Sequence, residues 1–258
     1  MREISSKDNK IFKLAKELLT KKYRDQHGLY LIEGENLVHE AVKCGAEIET
    51  VFVRPDYEKD LFGLDDKTFV LSTTLFEQIS ETETSQGIIA IVKKPKVDLA
   101  QFKKGDEKNF LVLDRLQDPG NIGTIIRTAD AAGYSLIIAI KGTADCFQSK
   151  VVRAATGSLF RVPVVSMAST KELVEFTRAT GKRLVATAMN ADCCYYDCDL
   201  TKDVAIVIGN EGNGISEELI ESSDLKISIP MQGNIESLNA SVAAGILLYE
   251  RIRQCKKN

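Results

Sequence analysis

Histidine is nearly missing from this chain: only His27 and His39 occur, far in sequence from the cluster Cys193, Cys194 and Cys198. Zinc sites join two close ligands to a second pair elsewhere. That set does not form here, and no metal is expected. The six cysteines, Cys44, Cys146, Cys193, Cys194, Cys198 and Cys255, read as ordinary reduced thiols. Cys193 and Cys194 are expected in a loop after a strand at Leu184–Ala188.

Long apolar runs are also missing. No stretch approaches the roughly eighteen uninterrupted apolar residues of a membrane-crossing helix. The charged start, Met1-Arg2-Glu3-Ile4-Ser5-Ser6-Lys7, lacks the apolar core of a signal peptide. A cytoplasmic protein with no membrane partner is the expectation. There are no internal repeats or low-complexity segments, and two nucleotide fingerprints fail. The turn Gly209-Asn210-Glu211-Gly212-Asn213-Gly214 lacks the Gly-Lys-Ser/Thr ending of a triphosphate loop. Neither it nor the first strand–helix turn, Asp118–Gly123, has the Gly-x-Gly-x-x-Gly spacing of a dinucleotide site. An NTPase and an NAD-dependent oxidoreductase are both disfavoured.

What is present is enough for two modest domains: 258 residues, 44% of them hydrophobic. The net charge of −3 is unevenly spread. Residues 1–25 carry eight basic side chains against four acidic ones, so a +4 segment precedes a remainder of −7. A basic patch on an acidic body can still grip phosphates. Residues 1–27 read as a basic N-terminal helix, opened by a capping box at Ser5-x-x-Asp8 and carried by Ile11, Leu14, Ala15, Leu18 and Leu19 at helical spacing. Its outer lysines, Lys10, Lys13, Lys21 and Lys22, are candidate RNA contacts, with a solvated face as the plain alternative.

Residues 28–94 read as a small α/β domain with strands at 29–34, 51–53, 69–71 and 87–92 and helices at 35–44 and around 74–80, implying a βαβ arrangement. The lysine-rich stretch 95–108 reads as a linker. Residues 109–258 alternate more cleanly. Strands are expected at 110–113, 136–140, 162–165, 184–188, 204–208 and 226–229, with a long helix from Leu238 to about Arg253. Such alternation implies a mostly parallel sheet covered on both faces.

Three blocks in this second half sit where a β-branched run ends and a helical pattern begins, the position of ligand sites in open α/β sheets. They are Asp118-Pro119-Gly120-Asn121-Ile122-Gly123 leading to Arg127, Gly209-Asn210-Glu211-Gly212, and Ile229-Pro230-Met231 followed by Ser237-Leu238-Asn239-Ala240-Ser241. In order and spacing they resemble the three signatures of the SpoU/TrmH family of RNA ribose 2′-O-methyltransferases, over roughly residues 109–253. Residues 28–94, with Glu33-Gly34 and Gln86-Gly87-Ile88, are similar to that family's accessory RNA-binding domain.

The resemblance implies what residue patterns alone do not. It implies a C-terminal domain of the SPOUT type with a trefoil knot, although knots are very rare in general. It implies a homodimer formed through the C-terminal domain, with S-adenosyl-L-methionine as cofactor. The apolar positions of the last helix, Ala240, Ala243, Ala244, Leu247 and Leu248, are the expected dimer face. The substrate is expected to be structured RNA, ribosomal rather than transfer RNA. A tRNA methyltransferase and a catalytically silent RNA-binding protein on the same fold are the alternatives.

Methyl transfer to a ribose oxygen requires aim and proton handling. The family match makes Arg127 central. A guanidinium with pKa above about 12 is a poor base, so Arg127 is read as binding a phosphate and the nucleophilic oxygen. Asn121 and Asn239 match catalytic amides of the family, and both also suit helix caps. Glu211 is expected to orient Arg127 or Asn121, and Ser237 is a further candidate. A carboxylate in a flexible turn also suits a cationic ligand. Cofactor contacts fall on Gly209, Ile229, Met231 and Leu238. Lys150 and Arg153, on a later helix, are further candidate RNA contacts.

Overall fold

The computed structural model describes residues 2–188 and 191–256. It forms two compact units. One is built from the chain up to Pro95 together with Asp145–Arg161, the other from Lys96–Ala144 and the chain from Val162 onward.

In the first unit β1 (Arg2–Ile4), α1 (Lys10–Glu17), α2 (Lys21–His27), β2 (Leu29–Glu33), α3 (Glu35–Lys43), β3 (Ile48–Val53), β4 (Thr68–Leu71), α4 (Thr73–Glu77) and β5 (Ile88–Lys93) follow one another. The strand order is β1-β4-β3-β5-β2. β1, β4 and β3 run parallel, but β5 is antiparallel to both β3 and β2, so the sheet is mixed and not a simple βαβ arrangement. The basic N-terminal helix is two helices. Asn9, not the Ser5–Asp8 box, caps the first: its Oδ1 accepts from the N–H of Ile11 at 2.8 Å and of Phe12 at 3.3 Å. An asparagine at this position satisfies orphan donors that Ser5, four residues back, cannot reach. Phe12, Ala15 and Leu18 turn inward onto Leu31, Phe52 and Ile91.

The second unit holds β6 (Phe110–Asp114), α5 (Pro119–Ala131), β7 (Leu136–Ile140), β8 (Val164–Met167), α7 (Thr170–Thr180), β9 (Arg183–Thr187), β10 (Cys193–Cys194), β11 (Val204–Gly209), α8 (Glu217–Glu221), β12 (Leu225–Ser228) and α9 (Ala240–Cys255). All seven strands are parallel, in the order β10-β12-β9-β11-β6-β7-β8. Phe110–Leu113 and Val204–Val207 are fully buried at every position, which is why these strands read as unbroken apolar runs without alternation. Each of the Val, Leu, Ile and Phe side chains among them contributes about 1.5–3 kcal/mol when fully buried. Phe102, from the stretch read as a linker, joins this core edge-on to Phe110.

α6 (Ser149–Ala155) belongs to the first unit although its sequence lies between β7 and β8. An ion pair and apolar packing tie it there. Arg24 Nε donates to Asp145 Oδ2 at 2.8 Å, both side chains being about nine-tenths buried, and Arg24 Nη1 donates to the Leu18 carbonyl. Phe147 packs on Tyr30, and Val151, Val152 and Ala155 are buried.

Two expectations about the second unit are corrected. Cys193 and Cys194 form an edge strand, and Cys193 is disulfide-bonded to Cys198, while Cys44, Cys146, Cys194 and Cys255 are not in a disulfide among the described residues. Pairing of β10 with β12, followed by the turn Asp197 N–H to Cys194 O, folds the chain back so that the two sulfurs meet. In α9, Ala240, Ala244, Leu247 and Leu248 are buried within the chain, and its exposed apolar residues are Val242 and Tyr249.

Candidate active site

Parallel strands deliver their following loops to one edge of the sheet. From β6 the chain steps outward through β7 to β8, then returns to the far side through β9, so the topology switches between the neighbours β6 and β11. Asp114 and Gly209 stand opposite one another there, at the ends of those strands. Ligand sites of open α/β sheets form at this point.

The turn after β6 is capped locally. Asp118 is the N-cap of α5, Pro119 takes the first helical position, and Asp118 Oδ1 accepts from the Asn121 N–H at 2.7 Å. A Cβ on Gly120 would lie 2.9 Å from that carboxylate oxygen.

The turn after β11 folds back on itself. Asn210 and Gly214 exchange two backbone hydrogen bonds of 2.9 Å, and Asn210 Oδ1 accepts from the N–H groups of Gly212 and Asn213 at 3.0 Å. A Cβ on Gly209 would stand 2.4 Å from Gly214 C and Ile215 N, so the fold itself requires glycine there. The Asn210 amide also donates to the Arg115 carbonyl at 2.8 Å, tying the second turn to the first. Arg115 adopts φ 56°, and Asp114, 1% exposed, accepts from the Ser216 N–H at 2.6 Å.

Glu211 then locks the two turns together. Its Oε2 accepts from the Gln117 N–H, and its Oε1 from the Asp118 N–H and from Asn121 Nδ2, each at 3.1 Å. A carboxylate can only accept, so the Asn121 amide must present its nitrogen to Glu211 and its oxygen outward. That oxygen accepts from Asn239 Nδ2 at 3.0 Å. Asn239 in turn presents its own oxygen to the N–H groups of Ser241 and Val242, as the N-cap of α9. One carboxylate thus sets the orientation of two amides and joins all three blocks. Burial alone would raise the Glu211 carboxyl. Hydrogen bonds from its own backbone N–H, the Asn121 side chain and the Gln117 and Asp118 N–H groups outweigh it and hold the group below its ordinary range. The donors to this carboxylate are neutral amides, so it keeps its negative charge while its two oxygens hold the turns.

Asn121, Glu211 and Asn239 are therefore brought together, while Arg127 is not. It is exposed on α5, about 9 Å along the helix axis from Asn121, and no hydrogen bond or ion pair engages it among the described residues. Ser237 is exposed, and Ile229, Met231 and Leu238 are half-buried along the irregular segment between β12 and α9. Among the described residues, no backbone N–H or C=O of residues 231–238 is hydrogen-bonded within the chain. Half-buried apolar side chains beside uncommitted backbone groups fit a cofactor held mainly by main chain. Asp118 and Asn210 are site residues that reading by motif passed over. The signals were there, an Asp before Pro-Gly and an Asn after a strand-ending glycine.

Of the candidate RNA contacts, Lys10 and Lys150 are exposed. Lys13 pairs with Asp8 at 2.8 Å, Lys21 with Asp25, Lys22 lies over the Tyr23 ring, and Arg153 donates to Ser149 Oγ. No group of three or more metal-ligating side chains occurs among the described residues, and no helix there is long and apolar enough to cross a membrane.

Residues 108–249 match the SpoU rRNA Methylase family, and residues 9–90 match an MRM3-like substrate binding domain. The chain is 39% identical over 252 residues to the 23S rRNA (guanosine(2553)-2′-O)-methyltransferase RlmP of Bacillus subtilis, covering 96% of this chain and 98% of that one. It is 33% identical to the 23S rRNA (uridine(2479)-2′-O)-methyltransferase of Streptomyces viridochromogenes, covering 98% and 92%. Among solved structures, the AdoMet-bound rRNA methyltransferase from Sinorhizobium meliloti superposes with a TM-score of 0.87 at 33% identity, covering 98% of each chain. The A. aeolicus TrmH/SpoU tRNA modifying enzyme covers 62% of this chain and 83% of its own, with a TM-score of 0.53 at 30% identity. With more than half of its length matched and near-complete relatives at this identity, the chain belongs to the SpoU rRNA methylase family.

Proposed function

We propose that this protein methylates a ribose 2′-hydroxyl of 23S ribosomal RNA, with S-adenosyl-L-methionine as methyl donor. The observation that carries this reading is the relay Glu211–Asn121–Asn239 at the strand-order switch point, in a chain alike over nearly its whole length to 23S rRNA 2′-O-methyltransferases. Ribosomal RNA is favoured over transfer RNA because the tRNA-modifying relative covers under two thirds of this chain, whereas the rRNA enzymes cover almost all of it.

When bound, S-adenosyl-L-methionine supplies a methyl group on a sulfonium, which loses its positive charge as the methyl leaves. Gly209, Ile229, Met231 and Leu238 are the residues we assign to hold it, through main-chain groups and half-buried apolar surface. Asn121 and Asn239 join the first block to the third, and Glu211 keeps both amides in one orientation. Ser237 stands at the rim of the same segment. Arg127 binds an RNA phosphate and aims the 2′-oxygen, its planar fork suited to two acceptors at once. Proton loss goes to water, since no group in the relay is a free base.

The same proposal includes two features that the family resemblance implies. The first is a trefoil knot, supported by the return of α9 onto α5 and β11 after β12 has been laid down beyond β9. The second is a homodimer, supported by the exposed Val242 and Tyr249 on α9. Residues 28–94 and the exposed ammonium groups of Lys10 and Lys150 engage RNA.

Ribose-methylation mapping across total RNA from cells with and without the gene tests the reading. One 23S position should lose its methyl group. A site lost from transfer RNA instead, or no site lost anywhere, would overturn it.

A further inference from the structure

β5 runs antiparallel to β2 and β3, so the end of β2, the end of β3 and the start of β5 share one edge of the first sheet. Gly34 follows β2, Arg54 follows β3, and Gln86 and Gly87 precede β5. Both glycines lie in the left-handed region, at φ 104° and 82°. A Cβ on Gly34 would stand 2.9 Å from Gln86 Oε1, and one on Gly87 would stand 3.3 Å from Arg54 Nε and 3.4 Å from Tyr57 Cδ2. Two bare stretches of backbone thus let an amide, a guanidinium and a phenol ring lie directly against the main chain.

Each of those side chains is fixed. The Arg54 N–H donates to the Gly87 carbonyl at 3.0 Å, and its Nε and Nη2 donate to the two Asp56 carboxylate oxygens at 3.0 and 3.1 Å. Tyr57 donates from its N–H to the Arg54 carbonyl and from its hydroxyl to the Asp60 carbonyl. Gln86 Oε1 accepts from the Glu35 N–H at 2.8 Å, which turns Nε2 away from it; among the described residues Nε2 has no partner. Glu33 holds the preceding loop through Ser80 Oγ, Thr82 Oγ1 and the Glu81 N–H. The guanidinium side chain keeps 32% of its surface exposed.

A phosphate is a poor partner for this arrangement. Asp56 neutralises Arg54 and occupies two of its nitrogens. What remains for a ligand is a plane, not a charge. Guanidinium and aromatic planes are the surfaces on which splayed-out RNA bases stack, and a nearby amide donor can read a base edge.

We propose that Arg54, Tyr57 and Gln86, seated on Gly34 and Gly87, form a docking platform for one unpaired nucleobase of the RNA substrate. Arg54 and Tyr57 supply the stacking face, and Gln86 Nε2 donates to a carbonyl or ring nitrogen of the base. The proposal rests on the RNA-directed reading above.

The test uses the full-length protein and a short single-stranded RNA carrying 2-aminopurine, whose fluorescence is quenched on stacking. Arg54→Lys keeps the charge and loses the plane. It should bind on the order of tenfold more weakly, with the quench lost and the salt dependence of binding unchanged. Gln86→Glu keeps the acceptor for the Glu35 N–H and removes the donor, and it too should weaken binding. Cofactor affinity and melting temperature of both variants should match wild type. If Arg54→Lys binds and quenches like wild type while wild type methylates 23S RNA, the platform is wrong and the proposed function stands. If wild-type protein methylates no RNA, the proposed function fails and the platform falls with it.

Discussion

Asn239 donates from Nδ2 to Asn121 Oδ1 at 3.0 Å, joining the cap of α9 to the first turn of α5 across 118 residues of sequence. The contact separates two roles that one residue type can play. Asn239→Asp keeps a good cap but loses the donor and sets an anion against the Asn121 oxygen. It should stay closer to wild type in melting temperature than Asn239→Ala, which costs about 1 kcal/mol as a lost cap. It should nonetheless lose methylation on the order of tenfold or more, because the first and third blocks are no longer joined. Wild-type single-turnover rates in Asn239→Asp would reduce the residue to a cap.

Glu211→Gln places an amide nitrogen where N–H donors now point. At least one of its N–H donors loses its acceptor, and the Asn121 amide is no longer held in one orientation. A loss of about 1 kcal/mol in denaturant unfolding is expected, with a larger fall in turnover. The wild-type carboxyl is lowered from its ordinary 4.5. Its contribution to stability is therefore fully present above that pH and is lost only as pH falls through the lower, folded value. Stability of wild type and Glu211→Gln should converge as pH falls through that lowered value.

Arg127→Lys retains charge and loses the planar fork. Methylation should drop about a hundredfold, as for a mispositioned nucleophile. Calorimetric cofactor affinity and thermal stability should barely move, because the guanidinium is exposed. An active Arg127→Lys enzyme removes Arg127 from the mechanism.

Val242 and Tyr249 are 51% and 49% exposed and stand two helical turns apart, hence on one face of α9. Replacing both by glutamate should convert a dimer to a monomer in light scattering, without unfolding. A dimeric mass for the double variant would exclude this face.

Arg24→Met leaves Asp145 buried without its partner. A destabilisation of about 3 kcal/mol is expected in chemical unfolding, and Arg24→Met combined with Asp145→Asn should recover much of it. Because α6 packs in the first unit, a fragment lacking residues 1–94 exposes Val151, Val152 and Leu159, and it should aggregate. A soluble, folded fragment would show that these side chains do not need that cover. Domain function is therefore better dissected by point substitution than by truncation.

The sequence by itself determined what lies within about four residues of its cause. The strands Phe110–Asp114 and Val204–Gly209, the start of α5 at Asp-Pro-Gly-Asn and the asparagine at the head of α9 follow from β-branched runs, a proline at the first helical position and capping side chains. The three blocks were legible for that reason, as was their family. Only the tertiary structure decided which of their side chains meet. Glu211 turned out to serve Asn121 and not Arg127, because strand order sets β11 beside β6 and so sets one turn over the other. The same holds for Cys193 with Cys198, brought together by pairing of β10 on β12, and for α6, which belongs to the first unit beside the Arg24–Asp145 ion pair, 121 residues apart in sequence, and the Tyr30–Phe147 ring contact. Propensities and caps act locally along the chain, whereas these partnerships depend on which strands become neighbours, and no local signal carries that choice.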